Sequence, residues 1–251
     1  MDTPRSASGS AAIVVALPWE AAPLAKYLGL RGDGVHDGVT QYRGGGDRVL
    51  LLQAGMGLDG AVRALASLDK PAVLLSAGFC GGVGPEVGLG SIVVASRVIR
   101  NSTSFPADPM LLETATRTLK TLGLPFHVGT LRTVDEVLTL TGSVPGPEDP
   151  HILAVDMESA YLADAARHLG VPFLGIRAVS DTPAEPWAVE GRAFLDPDGR
   201  LKPMSVTASI LRRPASGPRM LHLAFKLRLA TRQLAQGIDA LLKEHPNLFP
   251  P

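Results

Sequence analysis

Cysteine is almost missing from this chain: among 251 residues only Cys80 carries a thiol. A lone cysteine excludes an internal disulfide and any cysteine-rich zinc site, and it points to a reducing compartment, the cytoplasm. Net charge is missing as well. The 24 basic residues are balanced by 24 acidic ones, so no global field draws the protein to nucleic acid. Nowhere does an apolar stretch reach the length that a bilayer span needs. The run at residues 11–17 is too short for the core of a signal sequence, and Glu20 cuts it off. There is no internal repeat. His36, His127, His151, His168, His222 and His245 show no ligand spacing, so no metal and no cofactor is expected.

What the chain does have is a core. Hydrophobic residues make up 45% of it and the mean hydropathy is positive; a length of 251 residues suits one substantial α/β domain. Short apolar runs at 13–17, 49–53, 72–76, 92–95, 152–155 and 173–179 read as buried strands. Helical patterns lie between them at 19–28, 58–68, 109–122 and 157–169, the last closed by Gly170 ahead of Val171-Pro172. The alternation predicts a single α/β domain with a central, twisted, largely parallel (mixed) sheet flanked by helices. The expected division is a disordered polar N-terminus at 1–11, the domain at 12–203, and a basic amphipathic helical tail at 204–251. Residues 141–150 read as a loop rich in glycine and proline, and 181–203 as a long proline-studded excursion.

In such sheets ligands gather beyond the carboxyl ends of the strands. Leu17-Pro18-Trp19-Glu20, Ala54-Gly55-Met56-Gly57, Ala77-Gly78-Phe79-Cys80, Asp156-Met157-Glu158 and Ser180-Asp181 occupy those positions. Three carboxylates stand out there: Glu20, Glu158 and Asp181. Each also has a plainer explanation, as a first-turn helix acid or a turn residue. Arg177, inside an apolar strand, is expected either to pair with a carboxylate or to face the edge of the site. Cys80 reads as a packed small hydrophobe.

The run Ala154-Val155-Asp156-Met157-Glu158-Ser159-Ala160, followed by Val171-Pro172-Phe173 and Ile176-Arg177-Ala178-Val179-Ser180-Asp181, resembles the signature of the methylthioadenosine/S-adenosylhomocysteine nucleosidase and purine nucleoside phosphorylase superfamily. Residues 16–20, 78–83 and 87–94 match its other motifs in order. The resemblance implies a nucleoside phosphorylase-like fold and cleavage of an N-ribosidic bond, with a small purine nucleoside as ligand. It implies that Asp181 is the acid at purine N7, positioned by Ser180, that Glu158 binds the ribose hydroxyls, and that Met157 packs on the sugar. Glu20 would activate water, and Gly78 and Phe79 would line base and sugar. Phe79 replaces a small polar residue, and the base-stacking position falls on Val137 in place of an aromatic. No phosphate loop bearing an arginine is found. Hydrolysis is therefore favoured over phosphorolysis, in which phosphate would be co-substrate; a third reading is a non-catalytic nucleoside sensor.

The tail holds basic residues with apolar ones between them, including Arg212-Arg213-Pro214, Lys226, Arg228 and Arg232. It reads as a peripheral membrane contact or a helix packed on its own domain. Together with Val155-Asp156-Met157-Glu158-Ser159 and Thr133-Val134-Asp135, it is similar to hopanoid-associated nucleosidases, which implies adenosylhopane as substrate. The family resemblance also implies a homodimer or a higher homo-oligomer.

Overall fold

A computed structural model describes residues 9–46, 48–136, 151–184 and 217–244, with side chains in the last segment from residue 225 onward. Val137, the glycine-rich stretch at 141–150, most of the excursion at 181–203 and Arg212-Arg213-Pro214 lie outside the described residues.

The centre of the molecule follows from strand β1 (Ala11–Val15), which is buried at every position. It lies between β4 (Val49–Gln53) and β5 (Val73–Gly82), parallel to both, with Ile13 opposite Leu51 and Leu75. A strand with parallel neighbours on both sides and helices on both faces has no solvated side, so it is apolar throughout. Its alternation divides the core. Ala11, Ile13 and Val15 pack in one layer with Leu24 of α1 (Pro18–Tyr27), Leu111 of α3 (Pro109–Thr121), and Leu234 and Ile238 of α5 (Gly217–Glu244). Ala12 and Val14 pack in the other with Ala61 and Ala64 of α2 (Gly57–Ala66), and Leu162 and Ala166 of α4 (Ser159–Leu169).

Four strands escape a reading by apolar runs: β2 (Arg31–His36), β3 (Val39–Gly44), β7 (Thr103–Pro106) and β8 (Phe126–Thr133). The β2–β3 hairpin is polar and largely exposed on β2, and its turn at Asp37-Gly38 has φ of 50° and 79°. Asp-Gly with both residues at positive φ is the favoured two-residue hairpin turn. The remaining strands, β6 (Ile92–Arg100), β9 (Ile152–Asp156) and β10 (Phe173–Asp181), join β5 and β8. β5 pairs β10, β10 pairs β6, β6 pairs β8, β8 pairs β9, and β9 returns to β5. The sheet therefore closes a five-strand ring at one side and stays open at the hairpin. It is mixed: β10–β6 and β5–β9 run antiparallel, whereas β5–β10, β6–β8 and β8–β9 run parallel.

Helix ends follow local chemistry. Asp108 caps α3 by accepting from Met110 and Leu111 N–H at 3.0 Å each, ahead of Pro109. Gly170 closes α4 at φ 62°, ψ 44°. In α5, Ala230, Leu234, Ala235, Ile238 and Leu241 are buried against the domain. Phe225, Arg228, Leu229 and Arg232, spaced along one side, stay exposed. No described helix is long and apolar enough to cross a membrane.

Candidate active site

The first functional side chain is set by a helix start. Glu20 is the third residue of α1, and Leu17 before it has no side-chain acceptor to offer as a cap. Glu20 supplies one by bending back: its Oε2 accepts from the N–H of Ala16 at 3.0 Å and of Leu17 at 2.8 Å. Its Oε1 accepts from the Phe79 N–H at 2.7 Å, tying α1 to β5. Burial nevertheless pushes its pKa above the carboxylate range, with the charge of Arg177 and the three N–H donors opposing.

Next to that contact lies Gly78, at φ +132°. A β-carbon there would stand 2.6 Å from Glu20 Oε1 and 2.9 Å from Arg177 Nη1. Glycine is required by both conformation and space.

Arg177 sits opposite Gly78 in β10 and is 1% exposed. Its Nη2 donates to Ser76 Oγ at 2.7 Å and Ser159 Oγ at 3.0 Å, and lies 2.8 Å from Asp156 Oδ2. The same nitrogen is 3.6 Å from Glu158 Oε2. A guanidinium this deeply buried demands counter-charge, and β9 and the start of α4 provide it. Of the two expectations for Arg177, pairing with a carboxylate is the one observed.

Glu158 is buried just ahead of α4, and its Oε1 accepts from the Gly57 N–H at 2.9 Å. Burial raises its pKa to about 7; Arg177 opposes that, and the neighbouring charge of Asp156 adds to it. Met157, between the two acids, is half-buried, as is Phe79.

At the end of β10 the register against β5 slips between Val179 and Asp181. A bulge re-aims successive side chains. Here Ser180 Oγ lies 2.7 Å from Asp181 Oδ1 and 3.2 Å from the Cys80 carbonyl oxygen. Asp181 keeps partial solvent contact while Ser180 is buried. Cys80 reports how these groups gather. Its thiol pKa is pushed far up, by burial first; Arg177 opposes, and the charges of Asp181, Asp156 and Glu20 reinforce the rise. It is a packed thiol, not a nucleophile.

Glu20 and Glu158 therefore lie about Arg177 and Gly78, with the Phe79 N–H on Glu20, while Ser180 and Asp181 stand at the end of β10 opposite Gly81 and Met157 adjoins Glu158 in the chain. Val137 lies outside the described residues. Sequence reasoning gave Asp156, Ser76, Ser159 and Gly57 no individual role, although Asp156 and Gly57 stand in strand-end segments that it singled out. The available signal was Arg177, whose burial called for a partner, and Asp156 stands two residues from Glu158. Among the described residues no cluster of histidine, cysteine, aspartate and glutamate is arranged to hold a metal ion.

Comparison with known proteins finds relatives in both sequence and fold. The chain is 27% identical over 226 residues to a 5′-methylthioadenosine/S-adenosylhomocysteine nucleosidase of Chromohalobacter salexigens, covering 80% of this chain and 96% of that protein. It is 28% identical over 211 residues to the Geobacillus thermodenitrificans nucleosidase of the same name, covering 74% and 89%. In fold it is similar to the Neisseria meningitidis nucleosidase in complex with methylthio-immucillin-A, with TM-score 0.67, 20% identity, and coverage of 94% and 99%. Futalosine hydrolase of Helicobacter pylori shares the fold at TM-score 0.68 and 15% identity, covering 94% and 97%. The sequence profile of the phosphorylase superfamily matches residues 10–211, and to that superfamily the chain belongs.

Proposed function

We propose that this protein is a purine nucleosidase that hydrolyses the N-ribosidic bond of an adenine nucleoside carrying a 5′ substituent. The observation that carries the reading is the gathering of Glu20 and Glu158 about buried Arg177 and Gly78, with Asp181 at the end of the strand that bears Arg177, opposite Gly81 of β5. Asp181, with Ser180 beside it, is the acid that hydrogen-bonds N7 of the base and lets it leave. Glu158 accepts from the ribose hydroxyls as the sugar gains oxocarbenium character. Glu20, whose pKa is raised, takes a proton from the attacking water. The nucleosidase relatives support hydrolysis over phosphorolysis. Carboxylates and water suffice for this route, so chelators should leave the rate unchanged.

The test is incubation with a panel of 5′-substituted adenosines, with and without phosphate. Free adenine with a free ribose product supports hydrolysis; a ribose 1-phosphate product shows phosphorolysis. Asp181→Asn should lower base release by about 10²–10⁴-fold. Tight binding without any base release by the wild type would mark a sensor instead.

For the 5′ substituent, the observation that favours a lipid-linked nucleoside such as adenosylhopane is the exposed side of α5. Phe225 and Leu229 alternate there with Arg228 and Arg232, a pattern suited to anionic headgroups. Leu229 also lies against Gly90, whose N–H donates to the Val179 carbonyl two residues before Asp181. Sedimentation with anionic vesicles at low salt should retain the wild type and lose Phe225→Glu; no retention of either ends this reading. A homodimer is likewise proposed, with Leu58 and Val62 exposed one turn apart on α2 as its apolar contact; a monomer by light scattering refutes it.

A further inference from the structure

Arg177 does not treat its acidic neighbours equally. Its Nη2 is 2.8 Å from Asp156 Oδ2 and 3.6 Å from Glu158 Oε2. The first is a close ion pair and the second a longer one, while the hydrogen bonds of Nη2 itself go to Ser76 and Ser159. Asp156 is itself held in place: Thr133 Oγ1 donates to its Oδ1 at 2.7 Å, and the Ser159 N–H donates to its Oδ2 at 3.1 Å. Thr133 Oγ1 in turn accepts from the Ala160 N–H at 2.9 Å, so β8, β9 and the first turn of α4 form one brace. Ser76 and Ser159, which lie 2.9 Å apart, hold the guanidinium where Asp156 can reach it.

Glu158 is served less well. Its Oε1 has the Gly57 N–H at the start of α2, while its Oε2 faces a guanidinium already engaged by others. The charged groups acting on it are Arg177 from β10, Asp156 from β9 and Glu20 from α1. Two of these three are acids. In a buried setting that distribution keeps a carboxyl neutral unless its cation is undivided.

We infer that Asp156 is a positioning residue: by claiming Arg177 it withholds full counter-charge from Glu158, and so decides at which pH Glu158 can accept hydrogen bonds from a bound sugar. This rests on the nucleosidase reading above, in which Glu158 holds the ribose. Removing the Asp156 charge both deletes a repelling neighbour and frees Arg177 for Glu158. Both changes favour the ionised form, so the two effects add.

The experiment is the pH profile of kcat/KM for adenine release, taken over roughly pH 5 to 9, which reports groups of the free enzyme. Wild type should lose activity on the acid side near pH 7, where Glu158 takes up its proton. Asp156→Asn should move that acid limb down by about one pH unit or more. Asp156→Glu, which retains the charge, should leave the limb in place whatever it does to kcat. Glu158→Gln should remove the Glu158 part of the limb, so that Asp156→Asn made in that background no longer moves the part that Glu20 leaves. An even loss of rate in Asp156→Asn with an unmoved limb would reduce Asp156 to a structural brace and overturn the proposal, as would an equal shift from Asp156→Asn in the Glu158→Gln background. If Asp156→Asn does not fold, Asp156→Ser gives the same readout.

A wild type that releases no base from any nucleoside would fail the parent reading, not this one. The melting temperature against pH then decides. Asp156→Asn should show a smaller fall in Tm between about pH 5 and 7 than wild type, because less proton is bound to Glu158 over that window. Equal falls overturn the proposal.

Discussion

Two arginine–carboxylate clusters in this molecule use the same chemistry in opposite surroundings. Arg100 lies near the surface and makes three contacts with Asp135 at 3.1–3.2 Å. The Tyr161 hydroxyl donates to the same Asp135 oxygen at 2.6 Å, and the Tyr161 ring lies 4.8 Å beneath the guanidinium. Arg177, fully buried, holds Asp156 well and Glu158 at arm's length. Judged by contacts to one acid, the exposed cluster is the more complete. The proton affinities say otherwise about consequence. Asp135 is held below the usual aspartate range by the Tyr161 hydrogen bond and then by Arg100, whereas Glu158 is lifted by burial. Bulk solvent around Arg100 offers every partner an alternative, a reservoir that Arg177, at 1% exposure, does not share. Contact quality therefore matters less than what is left behind when a contact is removed.

The largest break in that comparison should come from Arg177→Met. It leaves Asp156 and Glu158 buried without a cation, and denaturant unfolding should show a loss of about 3–5 kcal/mol. A loss within error would place the two arginines on equal footing. Gly78→Ala comes next. Its new methyl must displace Glu20 or Arg177 at a φ of +132°, which should cost about 1–3 kcal/mol and lower base release at the same time. Normal activity in a destabilised protein would separate Gly78 from the site.

The third test concerns pH. Glu20 and Glu158 both hold their protons more tightly when folded than a free carboxylate does. The stability they contribute is complete below the ordinary carboxylate range and is lost as pH rises through their folded values, which for Glu158 is about 7. Tm should therefore decline from about pH 5 to 7, and Glu158→Gln should flatten the decline. Asp135 contributes in the opposite sense, with stability lost as pH falls, but at an exposed surface position its part is small. Arg100→Ala should accordingly give the smallest effect, no measurable change in denaturation midpoint.

Much of the scaffold was legible because it rests on local rules. β1, β4, β6, β9 and β10 are apolar runs; Asp108-Pro109 and Gly170 mark helix ends within their own turns. The β2–β3 hairpin carried a readable signal in Asp37-Gly38, yet its polar strands mask it from any search for apolar runs. β8 was missed for a similar reason: His127, Gly129 and Arg132 break its pattern, and only pairing with β6 and β9 makes it a strand. At the site, the carboxylates at strand ends could be named one by one. Their order of proton affinity could not, since burial is the leading cause for both Glu20 and Glu158.

Taken alone, the order of residues determined the alternation of strand and helix, the candidate acids and the demand that Arg177 find a partner. These depend on backbone propensity and on the cost of an unpaired charge, which are properties of neighbouring residues. The closing of five strands into a ring, and the choice of Asp156 over Glu158 as the nearer partner of Arg177, belong to the folded molecule. Both depend on distances between groups remote in the chain, and electrostatic energy in a dry interior changes steeply over the 0.8 Å that separates 2.8 from 3.6 Å.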